Sequence, residues 1–232
     1  MSVTARIRFG RKGPVRYLGH LDMMRYFQKA VLRSGIPAKY TEGFHPHQIM
    51  SFAYPLGVSM ETEGDYMDLE LTEEAAPEEL VRRLNAVMRE GIFVLSAVLL
   101  PEKAANAMAS VAAADYRLEI VNGGGPDETP FPEAPLRSAA EKLLALSSIT
   151  VGEKQKEIRP GIYALECEGS ALRMCLSSGS RLNVRPADVW EFMTSLEDGL
   201  REAELIKIIR MEIYGETADG KRVPLDRLYE EA

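Results

Sequence analysis

VTARIRFGRKGPVRYLGHLDMMRYFQKAVLRSGIP, residues 3–37, changes its hydrophobic period once, and that change sets the fold class. Up to Phe9 apolar and polar residues alternate, so Val3, Ala5, Ile7 and Phe9 share one face of a strand and Thr4, Arg6 and Arg8 the other. Beyond the turn at Gly13-Pro14 the interval lengthens. Leu21, Met24, Phe27 or Gln28, and Val31 to Leu32 recur at helical spacing until Gly35, with Pro37 following, which predicts a helix over 20–34. Working outward, extended segments are predicted near 48–54 and 64–72. An amphipathic helix at 77–90 closed by Gly91 and the strand IFVLSAVLL follow.

That order, β-α-β-β-α-β, is the pattern of a ferredoxin-like domain. The second half repeats it more loosely. A strand is predicted at 116–121, a helix in LRSAAEKLLALSS, strands near 154–158, 162–168 and 171–176, a helix at 186–198 and a last strand near 205–214. The expected fold is therefore α+β, with tandem ferredoxin-like domains and antiparallel sheets. The expected boundaries are a first domain at 1–101, an Ala-rich linker at 102–114 and a second domain at 115–232.

Composition narrows the class. The chain of 232 residues is 46% hydrophobic and 27% charged, typical of a water-soluble globular protein. No apolar run approaches the roughly 20 residues a spanning helix needs, so no membrane role is expected. The start, MSVTARIRFGRKG, has no apolar signal segment, which points to a mature N-terminus here and to the cytoplasm. Cys167 and Cys175 form no CxxC pair and are expected to remain thiols. Charge is unevenly spread: the first 50 residues hold nine Lys or Arg against Asp22 and Glu42, a balance of +7, within a chain of net charge -7.

Two chemistries fit the basic region. An anion or nucleic-acid surface would use Arg6, Arg8, Arg11, Lys12, Arg16, Arg25, Lys29 and Arg33, with Tyr17, Phe44 and His47 supporting or stacking on a nucleotide. Arg25, Lys29 and Arg33 repeat at i, i+4 and i+8, one stripe along the helix. The alternative is a site built from all three histidines. His20, Asp22 and His47 could move protons, and His20, Asp22, His45 and His47 could hold a metal, with Glu61, Glu63 and Asp65 as further carboxylates. Residues two apart do not share a helix face, so H-x-D at a helix start is poorly placed for ligation, and neither HExxH nor paired CxxC is present. No cofactor is expected.

Other motifs favour structural readings. GGG at 123–125 is not followed directly by a helix with Lys-Ser or Lys-Thr, so a flexible loop is expected rather than a phosphate cradle. Arg159 and Arg185 each precede a proline, which holds the backbone extended; they could bind an anion, but element boundaries facing water or nearby acids are the simpler reading. Trp190, Phe192, Met193 and Leu196 at helical spacing read as core.

GHLD at 19–22, RSGIP at 33–37, EGFHPH at 42–47, SFAYPLG at 51–57 and KEIRPGI at 156–162 resemble the radical-SAM-linked family of bacteria, a domain of unknown function found beside or fused behind radical SAM proteins. The family's usual wording is nearer SHLD and GFNPHP, so Gly19 and His45 depart from it. The resemblance implies a radical SAM protein as partner. No CxxxCxxC is present, so the chain is not expected to be the radical enzyme itself. The combined expectation is a non-catalytic accessory or substrate-presenting module, with RNA or another polyanion on its basic face. The histidine-based enzyme and a protein-only scaffold for the radical SAM partner are the alternatives.

Overall fold

The computed structural model describes residues 3–123 and 129–230. In chain order the elements are β1 (Val3–Arg11), α1 (His20–Ser34), β2 (Met50–Phe52), β3 (Glu61–Leu71), α2 (Pro77–Asn85), β4 (Ile92–Leu100), α3 (Ala107–Ser110) and β5 (Ala113–Asn122). Then follow α4 (Glu133–Ala145), β6 (Thr150–Val151), β7 (Lys156–Glu157), β8 (Ile162–Glu168), β9 (Ala171–Ser177), α5 (Pro186–Leu196), β10 (Ala203–Glu216) and β11 (Arg222–Pro224). The fold is mixed α+β with mostly antiparallel strands. Of the 123–125 glycine run, Gly124 and Gly125 lie outside the described residues.

The chain packs as two compact units, 1–112 with 212–232 and 113–211. This partition differs from the expected linker at 102–114 and second domain at 115–232. The 102–112 stretch belongs to the first unit because its backbone is tied there. Ala107 N–H donates to Asp68 Oδ2 at 2.6 Å, and Ala105 carbonyl accepts from Arg6 at 3.0 Å. The tail returns because β10 is long: its last residues and β11, paired through Tyr214 and Pro224, count with the first unit.

In the first unit β1 lies between β4 and β3, antiparallel to both, and β2 pairs with β3. The alternation in β1 sends Ala5, Ile7 and Phe9 into the core against Phe27 and Val31 of α1, Leu80 and Leu84 of α2, and Met67 and Leu69 of β3. Phe9, Phe27 and Phe52 meet edge to face with centroids 4.8–5.7 Å apart. α1 ends where Gly35 turns left-handed at φ 64°, the αL cap that glycine adopts without penalty.

The opposite face of this sheet is buried as well, under the 102–112 stretch and the tail. Arg6 is fully buried; its guanidinium forks onto Asp68 at 2.8 and 3.0 Å and also donates to the Leu225 carbonyl at 3.0 Å. Tyr66 hydroxyl donates to Glu212 at 2.7 Å and lies 3.2 Å from Asp226 Oδ1, and burial pushes both the Tyr66 phenol and the Glu212 carboxyl up.

In the second unit the strand order is β10-β5-β9-β8, with β6 and β7 forming a separate two-stranded hairpin. Leu118, Leu136, Leu143, Leu172, Val189 and Met193 are fully buried, whereas Trp190, Phe192 and Leu196 are half-buried. Half-buried Arg159 directs its guanidinium to backbone carbonyls rather than to an acid. It donates to the carbonyls of Leu144, Leu146 and Ile162, the first two at the end of α4, where a cation favours the negative helix end. Arg185 pairs with Asp188 as expected of a boundary residue. Among the described residues Cys167 and Cys175 form no disulfide.

Candidate polyanion-binding face

The expected basic set separates into two groups. Arg6 and Arg11 leave the exposed face. Arg6 is consumed by Asp68, and Arg11, 1% exposed, donates to the carbonyls of Gly57, Leu18 and Met60 at 2.7–3.2 Å, clamping the loops on either side. A buried guanidinium with its donors satisfied has nothing left for a phosphate. Arg8 is paired with Glu212 at 2.7 Å, and Lys39 with Glu70 at 2.8 Å.

What remains outside is ordered along α1. At roughly 100° per residue, Leu21, Arg25, Lys29, Leu32 and Arg33 fall on one face, and all five are exposed. The side chains of Arg25 and Lys29 have no ionic or hydrogen-bonding partner among the described residues. Arg33 donates only to the Val87 carbonyl at 3.3 Å, beyond the end of α2. Tyr26 marks the same border by accepting from the Arg89 N–H at 2.7 Å. Ahead of the helix, Arg16 rests on Tyr17, hydroxyl at 3.0 Å and ring centroid at 5.1 Å, and Lys12 lies over Phe93 at 5.6 Å.

The other border of the stripe is a hairpin. Lys39 to Ile49 doubles back on itself: Ile49 N–H donates to the Lys39 carbonyl at 2.9 Å, and Thr41 N–H to the His47 carbonyl at 2.9 Å. Buried Gln48 locks its base, its side-chain amide donating to the Gln28 carbonyl of α1 and to the Tyr40 hydroxyl, both at 3.1 Å. Thr41 hydroxyl meets both the His47 backbone N–H and the ring Nδ1 at 3.2 Å, fixing the imidazole. Gly43, at φ 115°, turns the tip in a conformation that side chains avoid. Phe44 at that tip is 100% exposed.

The histidine alternatives are not assembled. His20 packs edge to face on Phe52 at 5.5 Å, while His45 and His47 sit on the exposed hairpin and Asp22 faces water. Among the described residues no group of three or more His, Cys, Asp or Glu side chains is placed to hold a metal ion, so His20, Asp22, His45 and His47 do not form one. Glu61 accepts from the Gly13 N–H at 2.9 Å and lies 3.7 Å from Arg16, and Asp65 accepts from Thr62 at 3.0 Å.

Two open cavities are lined in part by charges already paired. In the first unit a space of about 650 Å³ touches Asp68, already held by Arg6, and Glu70, held by Lys39. In the second, about 720 Å³ lies beside Arg185, paired with Asp188, and Lys156, which donates to the Asn183 carbonyl. The α1 face joins the unpaired cations Arg25 and Lys29 to an exposed aromatic, Phe44, on the adjoining hairpin.

The sequence reading missed Gln48 and Thr41, the residues that tie the hairpin down. A single glutamine after HPH carries no periodic signal, and its partner is a backbone carbonyl that any residue at 28 would supply.

No helix among the described residues is long and apolar enough to cross a membrane. Residues 4–186 match the sequence model of a family described as uncharacterized proteins conserved in bacteria (DUF2344). No curated protein matches the chain.

Proposed function

The chain belongs to this DUF2344 family of uncharacterized bacterial proteins, a description without an activity, and from the geometry we propose that its first unit binds a polyanion, RNA before others, along α1. One observation carries the reading: Arg25 and Lys29 stand exposed and without partners on a helix face flanked by the anchored hairpin. Cations left unpaired in a chain with 35 acidic residues are available to phosphates, and Arg25 and Lys29 in line with Arg33 match a phosphodiester backbone rather than a single small anion. In this reading the protein presents its RNA to a radical SAM partner in the cytoplasm, without chemistry of its own. The partner rests on the resemblance of GHLD, EGFHPH and SFAYPLG. Both units are read as ferredoxin-like variants, supported by the order β4-β1-β3 with β2 on β3 in one and β10-β5-β9-β8 in the other.

The test is binding to total tRNA by the wild type and by the triple variant Arg25→Ala, Lys29→Ala, Arg33→Ala. Weaker binding by the variant supports the reading; equal binding removes it.

A second reading has an observation of its own. Leu21 and Leu32, 60% and 67% exposed, flank the cations on the same face, as an interface with a protein would require. A complex with the radical SAM protein that survives nuclease and high salt, and is lost in Leu21→Ser with Leu32→Ser, would favour a protein-only scaffold.

A further inference from the structure

We infer that the Thr41–His47 hairpin selects unpaired nucleotides, with Phe44 as the platform on which a base stacks. The inference rests on the reading of α1 as a polyanion face and adds to it which form of nucleic acid is bound.

A phenylalanine held wholly in water forgoes free energy that burial would return. Phe44 could recover this by folding onto its own unit, yet the hairpin holds it away. The Thr41–His47 backbone bond closes the loop, the Thr41 hydroxyl fixes the imidazole, and Gln48 bolts the base to α1. Gly43 then turns the tip so that Phe44 is 100% exposed. A rigid stem with an apolar ring at its end is built to meet something.

Charge decides what that is. The stem is anchored at Gln28, between Arg25 and Lys29 in sequence and at the margin of their face, so whatever reaches Phe44 also lies within reach of unpaired cations. A ligand that is anionic along its length and carries flat, π-faced groups satisfies both features; single-stranded nucleic acid is that ligand, and a duplex hides its π faces in the stack. The imidazoles add polarity to the same tip. His47 has Nδ1 occupied by Thr41, which leaves Nε2 to meet a base edge or a phosphate, and His45 is exposed beside it. An RNA with a loop or free end would therefore lay its backbone on α1 and one splayed base on Phe44.

The experiment measures affinity by fluorescence anisotropy for three probes, a single-stranded RNA of about 12 nucleotides, within the usual range for such sites, its duplex, and heparin, with co-sedimentation of phosphatidylglycerol vesicles as a further arm. Wild type, Phe44→Leu and Phe44→Trp are compared. The wild type is expected to prefer the single strand. Phe44→Leu should weaken that binding about tenfold, the size of one base–aromatic stack, and leave duplex and heparin unchanged, while Phe44→Trp restores it. Equal binding of single strand and duplex, with Phe44→Leu silent, overturns the hairpin inference while the α1 reading stands. Equal losses on all three probes overturn stacking as the cause. Binding of anionic phosphatidylglycerol vesicles that vanishes in Phe44→Leu, with RNA binding unaffected, assigns the ring to a lipid surface instead. No binding of any probe by the wild type removes both readings.

Discussion

The side-chain amide of Gln48 donates to the backbone carbonyl of Gln28 at 3.1 Å, so the hairpin that carries Phe44 is fastened to the helix that carries Arg25 and Lys29. Ring and cations are thereby held to one frame. In Gln48→Leu the carbonyl keeps its helical partner, but Tyr40 and the hairpin base lose theirs. The expected loss of stability is about 1–3 kcal/mol, the cost of breaking buried hydrogen bonds. Amide exchange at Thr41 and Ile49 should accelerate more than in the core strands, and single-strand affinity should fall without any cation being removed.

Arg6, buried on β1, should behave differently from the arginines on α1. Arg6→Met leaves the Asp68 carboxylate buried without its partner, and breaking such a pair costs about 3–5 kcal/mol. Arg25→Ala, on an exposed helix face, should change stability by no more than about 0.5 kcal/mol. Chemical denaturation of both variants checks this. A mild effect for Arg6→Met would mean that the sheet's second face is less tightly covered than described.

Gly35 closes α1 at φ 64°, and a Cβ there would stand 2.8 Å from Arg83 Nη2, which itself donates to the Gly35 carbonyl. Gly35→Ala should destabilise by about 1–2 kcal/mol from the left-handed backbone alone, and more where Arg83 is displaced. Combining it with Arg83→Ala should give less than the sum of the two losses, since both act on one cap.

In the second unit Glu197 is held down to about 2 by the Lys142 ammonium and the Ser138 hydroxyl, both donating to its carboxylate. A depressed carboxyl adds stability that is fully present above its ordinary value of 4.5 and is lost as pH falls through about 2. Thermal midpoints followed from pH 7 downward should therefore decline across that window in the wild type and decline less in Glu197→Gln. The variant should melt lower than wild type at neutral pH and converge with it in acid.

The two periods in residues 3–37 made β1 and α1 legible, since alternation and helical spacing are local properties that packing then honours. The α1 stripe was legible for the same reason: i, i+4, i+8 on a helix is geometry. What the alternation left open was the fate of the face bearing Arg6 and Arg8, because the segments that cover it lie about a hundred and two hundred residues downstream. Arg6 and Arg11 thus read as basic surface and turned out to be buried donors. The domain partition escaped for a related reason: β10 reads as one strand, and nothing local says that its end packs with the first unit. EGFHPH was legible as a loop with rings, but not as a fastened one.

The most direct test of the account is the salt dependence of RNA affinity for the wild type and the triple variant Arg25→Ala, Lys29→Ala, Arg33→Ala. If these three side chains neutralise phosphates, the logarithm of the affinity falls linearly with that of salt in the wild type, and the variant's slope is shallower by about 2, at roughly 0.7 per cation removed. Parallel slopes, or wild-type affinity indifferent to salt, would contradict the claim that α1 is where this protein holds a polyanion.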